Sequence, residues 1–308
     1  MNNYNTRFFA KILLFGEYSI LLGSDALSIP FRYFKARLQI INSMTSDLDT
    51  AKKSNLQIRA FYNYLKEKKS FNNILDLTAF HNDLDAGLYF QSMIPQNYGL
   101  GSSGALVAAI YHSYYKEKTE DNKLLCNILS EMEAFFHGCS SGIDPTTIYL
   151  NQTLIFDSNK KPLPVISPFA DFNKNLGIFL IDTDVQCKTN HLVDDFLNTF
   201  TNESKPSAKA IELLELNNKC IEKFIEGNRL DFMQELGRLS IFQLENMQQF
   251  IPENIREFWQ QGMENNELIM KICGSGGGGY MLAFASDRKR AIEYMKNIQC
   301  SFIDVRIN

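Results

Sequence analysis

Residues 99–104 read GLGSSG and run directly into the apolar stretch SGALVAAIYHSYY at 103–115. Taken alone, the six residues fit G-x-G-x-x-G, and so does GSGGGG at 274–279, so the flanking sequence must decide what each loop does. A dinucleotide fingerprint needs a strand feeding the glycines, a helix after them, and a second strand ending in an acid about 20 residues on. Here PQNY separates the preceding apolar segment from Gly99, and Pro95 discourages an uninterrupted strand. Glu117, Glu120 and Asp121 lie at a suitable distance, but in a polar turn between two helical stretches. The dinucleotide reading therefore fails. The lysine that a Walker A loop requires is also missing. What remains is an anion site: small residues admit close approach, and free N–H groups at a helix start attract phosphate. Ser102 and Ser103 add hydroxyls and are the expected caps of that helix, and either can reach a magnesium ion. A tight turn with no ligand would use the same residues.

The 308 residues carry 45% hydrophobic and 21% charged side chains, ordinary for a globular protein with a core. A net charge of −4 gives no footprint for nucleic acid or an anionic membrane. Six scattered cysteines without a C-x-x-C pair indicate reduced thiols rather than a disulfide frame or zinc site. The opening RFFAKILLFGEYSILLG is interrupted by Lys11 and Glu17 and lacks a cleavage pattern, and no run spans a bilayer. A cytoplasmic location is expected.

Hydrophobic patterning predicts strands at FFAKILLF (8–15) and YSILLG (18–23), then a helix at LQIRAFYNYL (56–65) between polar loops or helix ends. After the helix that follows the glycine loop comes DNKLLCNILSEMEAFF (121–136), with Leu124, Leu125, Ile128, Leu129, Met132, Phe135 and Phe136 as its apolar stripe. TTIYL and TLIFD read as strands, and DSNKKPLP (157–164) as a linker. LGIFLID is a buried strand, followed by helices near 191–200, 207–226 and 230–247. Strands LIMKICG and YMLAFAS flank the second glycine run, and a helix near 287–298 and the strand SFIDVRI follow. This order predicts an α+β fold in two domains, 1–165 and 166–308. Five glycines in six positions at 274–279 predict close approach of backbone to a ligand, with a flexible surface loop as the alternative.

The chemistry-bearing candidates are few. Asp144 in SGIDP sits in a turn where a side chain can face a cleft, or else cap its own loop. Lys11 interrupts an apolar strand, so it either snorkels or serves a buried anion. Glu131 and Glu133 flank their helix's stripe, and periodicity does not choose between them. His137 reads as a packing or loop residue.

Three blocks together resemble the GHMP kinase superfamily. AKILLFGEYSILLGSDALSIPF is similar to its K-x-x-L-x-G-E-H opening, IPQNYGLGSSGALVAA to its phosphate loop, and KICGSGGGGYMLAF to its C-terminal glycine motif. Within it, EAFFHGCSSGIDPTT and IDTDVQCKTNHLV resemble the mevalonate kinase family. The resemblance implies a two-domain GHMP kinase fold with the active site in the interdomain cleft. It implies an ATP- and Mg²⁺-dependent kinase acting on an alcohol, mevalonate to 5-phosphomevalonate in isoprenoid biosynthesis, with a homodimer as a permitted assembly. Asp144 would be the base and Lys11 its partner, Ser103 and Glu133 would bind Mg²⁺, and Gly99, Leu100, Gly101, Ser102, Ser103 and Gly104 would cradle the triphosphate. Gly274, Ser275, Gly276 and Gly277 would complete the nucleotide site, while Glu17, Tyr18, Thr189 and Lys188 would belong to the acceptor. Tyr18 replaces the usual histidine, Cys187 an arginine, Gly104 and Ser275 alanines, and Ser140 a proline. Other GHMP kinases, including phosphomevalonate and sugar kinases, and a silent metabolite-binding homologue are the competing readings.

Overall fold

The apolar run Phe8–Phe15 forms β1 and pairs antiparallel with a 15-residue strand β2, Ala26–Ile40. A computed structural model describes residues 4–165, 176–186, 192–202 and 205–306. Between these strands, Ser19–Leu22 is a 3-10 turn rather than the expected strand. The reason is backbone geometry: Gly16, Tyr18 and Gly23 all have positive φ, so the chain folds back instead of extending. Pro30 and the interspersed charges of β2 hide it from pattern reading, yet Pro30 lies opposite Lys11 in the register.

Helices α1 (Leu48–Glu67), α2 (Phe71–Ile74) and α3 (Leu77–Asp85) precede β3 (Leu88–Ser92), which pairs with β2. α1 begins inside the polar stretch expected as loop, because Asp47 caps it by accepting from the Thr50 N–H. α4 (Ser102–Tyr114) and α5 (Asn122–His137) fall where expected, although Leu124 is exposed. The segment TTIYL is corrected from strand to helix, lying within α6, Ile143–Leu150. Its β-branched residues suggested a strand, but Gly142 turns left-handed, Pro145 is tolerated in the first turn, and the Thr147 hydroxyl donates to the Ile143 carbonyl. β4 (Leu154–Phe156) and β5 (Pro162–Pro164) make a hairpin at the sheet edge where a linker was expected. Asp157 organises that turn by accepting from the N–H groups of Asn159 and Lys161. The first sheet runs β1-β2-β4-β5, with β3 also on β2.

The second sheet begins with β6, Gly177–Asp182. After α7 (Leu192–Phe200) come the two-residue strands β7 (Thr201–Asn202) and β8 (Lys205–Pro206), then α8 (Ala208–Glu226) and α9 (Arg229–Asn246). α10 (Glu253–Glu264) was not expected from the sequence; β9 (Ile269–Ile272), β10 (Tyr280–Ala285), α11 (Arg288–Asn297) and β11 (Phe302–Asp304) follow as read. The sheet order is β11-β6-β10-β9, all antiparallel. One apolar core joins both sheets: Phe15 of β1 stacks on Phe284 of β10 and packs edge-on against Phe224 and Phe232. Among the described residues no helix is long and apolar enough to cross a membrane. The fold is α+β.

Candidate active site

Lys11 does not snorkel. Its side chain lies inside the fold, and its Nζ is 2.8 Å from Asp144 Oδ1. Burial alone would lower the lysine's pKa; the adjacent Asp144 carboxylate reverses this and holds it above the ordinary value. Asp144 sits in the first turn of α6, behind Gly142. A Cβ at Gly142 would come within 2.6 Å of the Cys126 carbonyl, so only glycine lets the turn close there.

The N-terminus of α4 meets this pair. Gly101, with φ +79°, is the N-cap, and no side chain caps the helix, so Ser102 and Ser103 lie in the first turn rather than at the cap. The Lys11 N–H donates to the Leu100 carbonyl at 3.1 Å, tying β1 to the loop. Ser103 Oγ donates to Glu133 Oε1 at 3.1 Å, and Ser140 Oγ to Glu133 Oε2 at 2.5 Å. Burial, reinforced by Asp144, pushes the Glu133 carboxyl up to about 7, against the pull of the two serines. The ambiguity between the two glutamates is a matter of face: Glu131 is half-exposed and pairs with Lys68 at 3.2 Å on the surface.

Gly104 has its own reason. A Cβ there would lie 2.9 Å from the Pro145 N and 3.0 Å from Asp144 Cβ, so α4 approaches the Asp144 turn more closely than alanine permits. At Gly101 a Cβ would meet Lys11 Cγ and Ile148 Cδ1, both at 3.0 Å, in a backbone conformation that already disfavours side chains. If the chain is the ATP-dependent kinase that the resemblance implies, Gly101→Val is therefore expected to displace Lys11 from Asp144 and depress kcat as well as nucleotide affinity, by about 10²-fold in kcat/KM for ATP. Steady-state kinetics checks this; a pure KM effect would mean the valine reaches only the phosphates.

The second glycine run packs against protein. A Cβ at Gly274 would be 3.1 Å from Gly99 Cα, one at Gly279 2.9 Å from Tyr98 Cα, and one at Gly276 2.6 Å from the Phe250 carbonyl. Close approach was expected, but at these three positions the partner is the chain's own backbone, not a ligand. Tyr18 donates its hydroxyl to the Ser275 carbonyl. Glu17 is buried and pairs with Lys271 at 2.6 Å. Burial raises its pKa, opposed by that lysine. Cys187, Lys188 and Thr189 lie outside the described residues.

Sequence reading passed over three participants. His137 Nε2 is 3.0 Å from Ser103 Oγ, Ser140 anchors Glu133, and Lys271 anchors Glu17. His137 follows Glu133 at i+4, a helical-face spacing that could have exposed it, whereas Ser140 lies in the loop beyond α5, where periodicity gives no signal. Lys271 interrupts an apolar strand just as Lys11 does.

No group of three or more His, Cys, Asp or Glu side chains among the described residues could hold a metal by itself. Ser103 Oγ and Glu133 Oε1 are nevertheless hard oxygens at 3.1 Å, the donor pair that suits a Mg²⁺ ion carrying mostly phosphate and water ligands. An open hollow of about 650 Å³ lined by Val185, Pro252, Glu253, Asn254 and Gly277 includes none of these groups.

Residues 57–152 match the family GHMP kinases N terminal domain, a span holding the phosphate loop, Glu133 and Asp144. The chain carries a GHMP kinase N-terminal domain. Lys11 and the second glycine run lie outside the matched span but contact it. The chain is 24% identical over 310 residues to a mevalonate kinase of Thermococcus sibiricus, covering 92% of this chain and 89% of that one. In fold it is similar to the Methanococcus jannaschii mevalonate kinase, with a TM-score of 0.68 at 17% identity over 98% of both chains. The Streptococcus pneumoniae phosphomevalonate kinase is also similar, with a TM-score of 0.65 at 16% identity over 98% of both. The GHMP kinase fold thus extends along the whole chain.

Proposed function

We propose that this GHMP kinase domain and the residues on either side of it form an ATP- and Mg²⁺-dependent kinase that phosphorylates an alcohol, with mevalonate as acceptor. The observation that carries the reading is the ion pair of buried Lys11 with the partly exposed Asp144 at 2.8 Å, set directly beside an uncapped helix N-terminus and the Ser103–Glu133 oxygens. In this reading 1–165 and 166–308 are two domains, and the acceptor enters between them.

ATP supplies the phosphoryl group, and Mg²⁺ offsets its charge. The chain does the rest by positioning. Asp144 accepts the acceptor's hydroxyl proton at a carboxylate oxygen as the new O–P bond forms and the terminal phosphate's bond to the ADP oxygen breaks, ADP leaving. Lys11 holds that carboxylate in place and adds positive charge where the phosphates converge. The first-turn N–H groups of α4 bind phosphate oxygens, and Ser103 and Glu133 would hold the metal.

The test is ADP release by the purified protein across a panel of alcohols, with mevalonate expected to turn over fastest. A neutral sugar outrunning every anionic alcohol would overturn the acceptor while leaving the kinase. ATP binding without turnover on any alcohol would favour the silent homologue. Lys188→Ala is expected to raise the acceptor KM more than that for ATP, since Cys187 stands where the family has arginine. Phosphomevalonate is the second acceptor reading, favoured by Tyr18 at the position where the mevalonate kinase pattern has histidine.

A further inference from the structure

Glu17 and Tyr18 stand where family resemblance puts acceptor ligands, yet both side chains engage the chain's last third. Glu17 Oε1 lies 2.6 Å from Lys271 Nζ, which also donates to the Ile272 carbonyl at 2.5 Å. The two side chains are 2% and 1% exposed, so no small molecule reaches the pair in this conformation. Tyr18 adopts φ 60°, a strained setting for an aromatic residue. That backbone aims its ring between Phe196 and Phe250, at 4.9 and 4.7 Å, and its hydroxyl at the Ser275 carbonyl. Phe250 in turn accepts from the Gly277 N–H at 2.7 Å, so the same aromatic cluster grips the glycine run twice.

We infer that Glu17 and Tyr18 are positioning residues that press the 274–279 run against the phosphate loop, rather than ligands of the acceptor. The contacts form an unbroken path. Lys271 leads into Cys273 and Gly274, Gly274 lies against Gly99, and Leu100 accepts from the Lys11 N–H. The Cys273 thiol on this path is buried and pushed up to about 12, so it stays a neutral packing group. A loop held from behind in this way is preorganised: less ordering is left for the moment of binding. Two glycines in mutual contact transmit that support only while the run behind them is fixed. The inference rests on the kinase reading solely for what the loop binds.

The test separates support from ligation. Tyr18→Phe removes one hydroxyl and keeps the ring. Amide hydrogen exchange at residues 99–101 should accelerate by about fivefold, the equivalent of one ordinary hydrogen bond. Calorimetric affinity for Mg·ATP should fall by a similar factor, with the acceptor KM within about twofold of wild type. Glu17→Gln and Lys271→Met each leave a buried charge alone and should accelerate the same amides further, while the uncharged double variant should recover most of the protection. A raised acceptor KM with unchanged exchange at 99–101 would overturn the inference and make these residues ligands. If the single charge variants do not fold, Tyr18→Phe decides alone. If wild type binds no ATP, the kinase reading fails, and exchange at 99–101 still judges the support.

Discussion

Asp144→Asn should lower kcat by about 10²-fold or more while leaving Mg·ATP bound, because the change keeps the side chain's shape and removes its basicity. The variant also leaves the Lys11 ammonium, buried at 2% exposure, without its carboxylate. Leaving a buried ammonium without its carboxylate is destabilising, so the melting temperature should fall as well, by less than for a pair buried on both sides because Asp144 is partly exposed. Lys11→Met should reduce kcat in its own right. The double variant should lose less than the product of the two single losses, because residues 2.8 Å apart share one interaction. Rapid-quench kinetics with saturating nucleotide, paired with denaturant unfolding, separates the chemical loss from the stability loss. Near-normal turnover by Asp144→Asn would remove the base from the mechanism.

Glu133→Gln is the second large effect expected, a loss of about 10²-fold or more in kcat/KM for Mg·ATP, whereas Glu131→Ala should stay near wild type. The contrast follows from burial: Glu133 accepts from Ser103 and Ser140 inside the site, while Glu131 holds only a surface lysine. A pH signature accompanies it. With its carboxyl pushed up to about 7, folded Glu133 keeps a proton that the unfolded chain has already released near the ordinary carboxyl value of 4.5. Its stabilising contribution is therefore complete below about 4.5 and is lost as pH rises through about 7. Unfolding midpoints at pH 5 and pH 8 should show this decline in wild type and a weaker one in Glu133→Gln. A metal held by Glu133 would displace the same proton, so on the proposed reading Mg·ATP binding near neutral pH should release protons, measurable by calorimetry in buffers of different ionisation heat. An unchanged proton release in Glu133→Gln would remove Glu133 from the metal site.

The parts legible in the sequence were those governed by local rules. Phe8–Phe15 is a strand by composition, the helix after Gly101 follows from small residues leading into an apolar run, and the α5 stripe comes from periodicity. Misreadings occurred where tertiary contacts overrule local preference. Ala26–Ile40 pairs across its own proline because β1 supplies the ladder, and Ile143–Leu150 is helical because Gly142 starts it. For the candidate site, the residues alone left Glu131 against Glu133 open, and it was the family resemblance that named Lys11, Asp144, Ser103 and Glu133, which converge. Spacing could not show that Glu17 would meet Lys271, since that depends on how two sheets share one core.

The Gly99–Gly274 contact also bears on how the protein is made. Translation delivers the phosphate loop long before the strand and glycines that back it, so the nascent first sheet leaves the ribosome with Glu17 lacking its cation. On the proposed reading, nucleotide competence then waits until residues 271–279 have been made and have folded against the loop. A fragment ending at residue 165 would carry the whole GHMP kinase N-terminal match yet lack the rear wall of its own binding loop. Such a fragment would also strip Phe15 of Phe224, Phe232 and Phe284, so the cut removes part of the first sheet's core together with the support of the loop.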